Sequence, residues 1–192
     1  METDREKWNR RYASQDSYLG RAPSPFLKRM INQVESLVRG RKALDIACGE
    51  GRNSLFLAER GFQVTALDIS DTGLEKGAQQ ATDRGLAIDF RRVDLDRQAL
   101  TGCYDLVINF NFLIRGLIPA EIAVLNPGGV LLFDTIMETP ALLLSHTPSY
   151  LLRPGELEQL FAGYDGDMVF HEESDNGEMP TARVMFRKAG PH

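Results

Sequence analysis

The sequence predicts an α/β protein built on a doubly wound sheet of seven strands, mostly parallel, with an antiparallel strand pair at its C-terminal end. Three observations carry that expectation. Ala43-Leu-Asp-Ile-Ala-Cys-Gly-Glu-Gly-Arg-Asn53, followed by Val64-Thr-Ala-Leu-Asp68, reads as a strand, a glycine-bearing turn, a helix and a second strand ending in a carboxylate. Strand-like and helix-like segments then alternate to position 135, the pattern of a parallel sheet. Two late segments, about 166–174 and 181–187, flank Asp175-Asn-Gly177, a hairpin turn signal. The arrangement is Rossmann-like. The chain has 192 residues, which suits one domain with one sizeable core. Residues 1–40 form an N-terminal helical lid segment and residues 41–192 the sheet-bearing core.

The elements follow in order. Segments 4–14 and 25–38 space their apolar residues as helices do. A polar stretch, Ser14 to Ser24, joins them and contains Gly20 and Pro23. Strand one is 43–47, and the helix 51–60 is closed by Gly61. Strand two is 63–68. Ser70 or Asp71 then caps a helix running to about 83, ended by Gly85. Residues 88–93 read as strand three, and Asp94 to Gly102 as a polar connection. Tyr104-Asp-Leu-Val-Ile-Asn-Phe110 is strand four. Pro119 to Leu125 is helical, Asn126-Pro-Gly-Gly129 a turn and Val130 to Thr135 strand five. Residues 136–153 are irregular and rich in leucine, proline and serine. Arg153-Pro-Gly-Glu156 opens a last helix through Phe161, with Pro154 near its first turn.

Composition excludes several classes. A net charge of −5 argues against general nucleic-acid binding, which needs a basic face. The N-terminus, Met-Glu-Thr-Asp-Arg-Glu-Lys, is too charged for a signal peptide. No apolar run approaches the roughly 20 residues of a membrane span. Cys48 and Cys103 lie in or beside apolar segments without CxxC spacing or a Cys/His cluster. They read as two reduced, buried thiols of a cytoplasmic protein that holds no metal.

The first turn carries the most chemistry. A diphosphate site wants G-x-G-x-x-G. Gly49 and Gly51 are present, but Ser54 stands at the third position. Glu50 would set a carboxylate against a diphosphate. These details favour a cationic cofactor free of phosphate, S-adenosylmethionine. Asp45, near the carboxyl end of strand one, meets its ammonium. Gly49 and Gly51 let the backbone approach without a Cβ. Asp68 ends strand two and accepts from the ribose hydroxyls, a role that also resists a 2′-phosphate. Asp45, Asp68, Asp94 and Asn109 all fall at or just past carboxyl ends of strands, where ligands bind in such sheets. Two alternatives remain open. A nicotinamide-dependent oxidoreductase is disfavoured by Glu50, Ser54 and the lack of a Tyr-x-x-x-Lys pair. A non-catalytic S-adenosylmethionine-binding protein stays open because cofactor motifs do not demonstrate turnover.

From about Lys7 to Arg187 the chain resembles the class I S-adenosylmethionine-dependent methyltransferases. Asp45-Ile-Ala-Cys-Gly-Glu-Gly51 is similar to their first motif, with Ala47 where many members carry glycine. Asp68, with Ile69 after it, resembles the ribose-binding acid. Val93-Asp94-Leu95 resembles the segment that contacts adenine. Tyr104 to Asn109 resembles the motif lining the methionine moiety, and Leu125-Asn-Pro-Gly-Gly129 the turn before strand five. Within the class, three segments resemble the small tellurite-resistance and thiopurine methyltransferase-like group: Trp8-Asn-Arg-Arg-Tyr12, Phe112-Leu-Ile-Arg115 and Tyr150-Leu-Leu-Arg-Pro-Gly-Glu-Leu157. The resemblance implies methyl transfer to a small acceptor, with S-adenosylhomocysteine as product.

Such a reaction is an in-line displacement at the sulfonium methyl. A thiolate or a chalcogen oxyanion needs no protein base, which suits a sequence short of obvious bases. Trp8, Arg11 and Tyr12 are lid candidates, with Tyr12 the preferred cofactor contact; the alternative is that Trp8 and Tyr12 pack their helix onto the sheet. Arg115 is placed to bind an anionic acceptor, against the alternative of an exposed arginine at a helix start. His146 is a candidate base or acceptor contact, against a plain surface histidine. His171 and His192 draw no role, Cys48 reads as packing and Asp105 as a backbone partner. The acceptor pocket is expected among residues 13–24, 109–117 and 136–153.

Overall fold

The computed structural model describes residues 2–174 and 179–190. Seven strands form one sheet in the order β3-β2-β1-β4-β5-β7-β6. They are β1 (Lys42–Ile46), β2 (Gln63–Asp68), β3 (Ile88–Arg92), β4 (Tyr104–Phe110), β5 (Leu125–Ile136), β6 (Gly166–Ser174) and β7 (Thr181–Lys188). β1 to β5 are parallel, while β7 runs antiparallel to both β5 and β6. The expected hairpin turn Asp175-Asn-Gly177 and His192 lie outside the described residues. The helices are α1 (Asp4–Ala13), α2 (Pro25–Leu37), α3 (Arg52–Glu59), α4 (Asp71–Asp83), α5 (Ile118–Ala123), α6 (Pro140–Ser145) and α7 (Glu156–Phe161). Among the described residues no helix is long and apolar enough to cross a membrane.

Two segments depart from the sequence reading. β5 begins at Leu125, so Asn126 to Gly129 lie inside the strand rather than in a turn before it. Tyr104 pairs with Leu125, but Leu106 pairs with Val130, so the extra residues are taken up as an irregularity. Gly128 supplies a positive φ there, +77°. Residues 136–153 are less irregular than expected. The Thr139 side chain accepts from the Leu142 amide and starts α6 with Pro140 in its first turn. A 3₁₀ turn at Pro148–Tyr150 follows.

Alternation along the strands separates two cores. Ala43, Val64, Ala66, Leu106, Ile108 and Leu132 face α2 and α3. Leu44, Ile46, Val107, Leu131 and Phe133 face α5 and α7. With both faces covered, the central strands are buried almost throughout, as parallel sheets require. Register then fixes where polar residues point. Asp45 pairs with Ala66, two residues before Asp68, so both carboxylates lie on the α3 face. Asn109 pairs with Ile46 and lies on the other face.

The N-terminal helix docks along α4. Arg5 pairs with Asp71. Asn9 Oδ1 accepts from Ser70 Oγ at 2.6 Å and from the Thr72 amide at 3.2 Å. Gly73 and Gly77 lie inside α4, where each costs about 1 kcal/mol relative to alanine. Close approach explains them: a Cβ on Gly73 would lie 3.1 Å from the Tyr12 ring, and one on Gly77 2.8 Å from Phe90.

Candidate functional site

The chain leaves β1 through a turn with three positive-φ residues: Ala47 at +53°, Gly49 at +57° and Gly51 at +75°. Glycine adopts this freely, whereas alanine costs about 1 kcal/mol. Ala47 therefore holds a conformation suited to the glycine that many members of the class it resembles carry there. A Cβ on Gly49 would lie 2.6 Å from the Tyr12 hydroxyl. Hence α1, through Tyr12, lies directly on the turn.

Two buried carboxylates flank this turn. Asp68 is 5% exposed. Its Oδ2 accepts from the Gly49 amide and its Oδ1 from the Ser70 amide, both at 2.8 Å. The acid ending β2 is thus tied to the turn after β1. Burial pushes its pKa up while the amides oppose the rise. Asp45 is 2% exposed and accepts from Ser54 Oγ at 2.6 Å. Burial, with the Asp68 charge adding, pushes its pKa up to about 7, and the Ser54 hydrogen bond opposes. Ser54, standing where a third glycine was sought, is a partner for Asp45. Each carboxylate has about four acceptor positions, so both keep capacity for a ligand's donors. Two desolvated acids on one face of adjacent strands suit a cationic, hydroxyl-bearing ligand.

Residues 14–24 strap the turn. Glu50 is buried and accepts from the Tyr18 amide at 2.8 Å and Ser17 Oγ at 3.3 Å. It also pairs with Lys76 at 3.1 Å. Arg52 Nη1 donates to the Leu19 carbonyl at 2.8 Å, and Asn53 Oδ1 accepts from the Ser24 amide at 2.8 Å. This corrects the reading of Glu50. Its charge is compensated by Lys76 and committed to the strap, so resistance to a diphosphate rests on Asp45 and on Ser54 in place of a third glycine. Trp8 stacks on Tyr12 with ring centroids 5.6 Å apart, and Tyr18 meets both edge-on. Arg11 lies 4.9 Å over Trp8. A cavity of about 30 Å³ remains beneath, lined by Tyr12, Leu19, Asp45, Gly49, Arg52, Phe110 and Asn111 among others. A larger hollow, about 910 Å³, opens at the opposite, amino ends of the strands beside Gln63, Ile88 and Tyr104.

The remaining expected residues divide. The Val93 amide donates to the Asp68 carbonyl at 2.9 Å, so Asp94 follows directly beside the second strand. Asp94 Oδ1 accepts from the Asp96 amide at 3.2 Å. Leu95 is buried in the core and Ile69 is half-buried. Asn109 points away from the two acids: its Nδ2 donates to Glu121 Oε1 at 2.7 Å beneath α5. Burial pushes Glu121 up to about 7. Arg115, expected to face an acceptor, is committed to the chain. Its Nε lies 2.6 Å from Glu156 Oε1, and its Nη atoms reach Glu156 Oε2 and the Ser149 and Leu151 carbonyls at 2.9 Å. His146 is exposed beside Ser145 Oγ, 2.9 Å from its Nδ1. Cys48 is half-buried, but Cys103 is exposed, because it precedes β4 rather than entering it. Asp105 accepts from the Lys42 amide at 2.9 Å, as a backbone partner does. The sequence reading passed over Lys76 and Glu121. Glu121 had a signal, a carboxylate beside Ile122 in an apolar helix; Lys76 had none.

A family model described as tellurite resistance protein TehB matches residues 24–182. The ubiquinone biosynthesis O-methyltransferase of Nitrosococcus oceani is 29% identical over 142 residues, covering 62% of this chain and 60% of that protein. The chain spans between about half and two thirds of the length of the curated relatives it matches. The solved structure of TehB from Haemophilus influenzae has a TM-score of 0.69 at 23% identity, over 84% of this chain and 62% of that one. The N-methyltransferase NodS from Bradyrhizobium japonicum, solved with S-adenosylhomocysteine, has a TM-score of 0.71 at 18% identity, over 96% and 97%. These structural likenesses establish the Rossmann-like fold.

Proposed function

The chain belongs to the tellurite resistance protein TehB family, within the class I S-adenosylmethionine-dependent methyltransferases, and on that premise we propose that it methylates a small acceptor with S-adenosylmethionine. One observation carries the reading. Asp68 is locked to the amide of Gly49, and a second buried acid, Asp45, lies on the same face one strand away. Asp45 is assigned the cofactor's ammonium and Asp68 the ribose hydroxyls. The backbone at Ala47, Gly49 and Gly51 admits the methionine end. Ile69, Asp94 and Leu95 take the adenine end, and Tyr12 closes the site from above. Asn109 acts through Glu121, holding the end of β4 in place. When bound, S-adenosylmethionine supplies an electrophilic methyl group.

The residues support a soft nucleophile. Asp45 is assigned to the cofactor's ammonium, and Glu50 is paired with Lys76, so neither carboxylate is a free base. A thiolate or chalcogen oxyanion needs none. With Arg115 bound to Glu156, acceptor contact falls to Asn111 and to the nitrogens of Arg52 other than Nη1, which holds the Leu19 carbonyl; both residues line the cavity beside Gly49. Asn111 has φ +58°, a left-handed conformation that asparagine adopts more readily than most side-chain-bearing residues. His146 stands on the segment leaving β5 as a further acceptor contact. The test is turnover of methyl-labelled S-adenosylmethionine against thiols, halides and chalcogen oxyanions. Release of S-adenosylhomocysteine with one small class is expected. Labelling of macromolecules only would overturn the acceptor assignment.

A further inference from the structure

We infer that Lys76 is a positioning residue of this site: its ammonium ties the end of α1 to the glycine turn and so sets Tyr12 over Gly49. The inference rests on the cofactor reading above. Lys76 Nζ meets the carbonyls of Tyr12, Gln15 at 2.6 Å and Asp16 at 3.4 Å. It also lies 3.1 Å from Glu50 Oε1. The last carbonyls of a helix carry its negative end and lack partners within it. One cation therefore satisfies the exit of α1 and neutralises the carboxylate in the turn.

Position gives this contact its effect. α1 is fastened to α4 at three levels. Arg5 holds Asp71 near its start, Asn9 holds Ser70 and Thr72 in its middle, and Lys76 holds its end. Tyr12 lies at that third level, with its hydroxyl above Gly49 and its ring against Gly73. Glu50 extends the link by holding Tyr18 and Ser17 of the strap. A lysine on α4 thus joins α1, the strap and the turn. Without it Glu50 would be a buried carboxylate lacking its cation, and the aromatic cover would lose the one of its three attachments nearest Tyr12.

Trp8, the chain's single tryptophan, stacks on Tyr12 and so reports the position of the cover directly. In wild type, Trp8 fluorescence is expected to resist acrylamide quenching. Lys76→Gln should raise the quenching constant about twofold and weaken S-adenosylhomocysteine binding about tenfold, the scale of one lost charged hydrogen bond. The same variant should raise KM for S-adenosylmethionine with the acceptor KM unchanged, and Lys76→Arg should recover both. Glu50→Gln, which cuts the link at its other end, should expose Trp8 in the same sense and serves if Lys76→Gln does not fold. Folded variants with wild-type quenching and wild-type S-adenosylhomocysteine affinity would overturn the inference. If wild type binds no S-adenosylhomocysteine, the cofactor reading falls, while the quenching comparison still judges the Lys76 link.

Discussion

The glycine turn after β1 and the 136–153 segment after β5 both leave carboxyl ends of the sheet, yet they are built differently. At the turn, side chains from β1, β2, α1, α3 and α4 converge on a few buried atoms. Asp68 binds Gly49, Ser54 binds Asp45, and Glu50 binds the strap. In the other segment polar groups are spent on the chain itself. From outside it, Arg115 holds the segment's Ser149 and Leu151 carbonyls and pairs with Glu156 of α7, while His146 within it is exposed. The difference separates a turn that gathers two buried carboxylates from a segment whose carbonyls are held by an arginine from outside it.

The largest expected effect falls at the turn. Asp68→Ala removes the charged acceptor assigned to both ribose hydroxyls. At about 1.5–3 kcal/mol for each charged hydrogen bond, S-adenosylhomocysteine affinity should fall at least about 100-fold. Calorimetric titration measures it, and an unchanged dissociation constant would remove Asp68 from the site. Arg115→Ala should act on the other region. It leaves Glu156, only 8% exposed at its side chain, without its main cation, and should cost about 2–3 kcal/mol of stability. Arg153 stays as a weaker partner, 3.3 Å away. Chemical denaturation should show that loss with cofactor affinity intact. A rise in acceptor KM with no loss of stability would return Arg115 to the acceptor pocket and erase the contrast.

A smaller effect tests the polar pair under α5. The pKa of Glu121 rises from 4.5 to about 7 on folding, so the native state holds an extra proton between those values. Stability from this group is therefore full below pH 4.5 and declines as pH rises to 7. The change is at most about 3 kcal/mol. Glu121→Gln should gain on wild type by about 2 kcal/mol between pH 5 and pH 8, read from denaturation midpoints. Equal pH slopes would show that Glu121 is ionised throughout. The smallest effect is Ala47→Gly. Relief at φ +53° should stabilise by about 0.5–1 kcal/mol, offset in part by the freedom glycine gains when unfolded. Thermal unfolding decides the sign.

The same contrast marks what could be read from the sequence. The turn was legible because its chemistry is local: a strand, two glycines and a carboxylate at the end of the next strand place Asp45, Gly49 and Asp68 by backbone geometry alone. Asn109 was misdirected because its face depends on the pairing of β4 with β1, and alternation without register leaves the choice open. Arg115 finds Glu156 41 residues away, and Lys76 reaches Tyr12 64 residues away. No spacing rule connects such pairs. Glu50 was seen as a charge in the turn, but its neutralising lysine comes from another helix. β5 began early because a register irregularity absorbs Asn126 to Gly129, which local turn chemistry reads as a loop.

Asp45 and Asp68 are proposed to hold a sulfonium cofactor rather than a dinucleotide. Calorimetric titration of the intact chain with S-adenosylmethionine and with NAD, at pH 6 and pH 8, tests it most directly. Saturable binding of S-adenosylmethionine is expected, tighter at pH 8 because Asp45, with its pKa pushed up to about 7, must lose its proton to meet the ammonium. NAD should give no heat of binding. Tight uptake of NAD, with none of S-adenosylmethionine at either pH, would contradict the account.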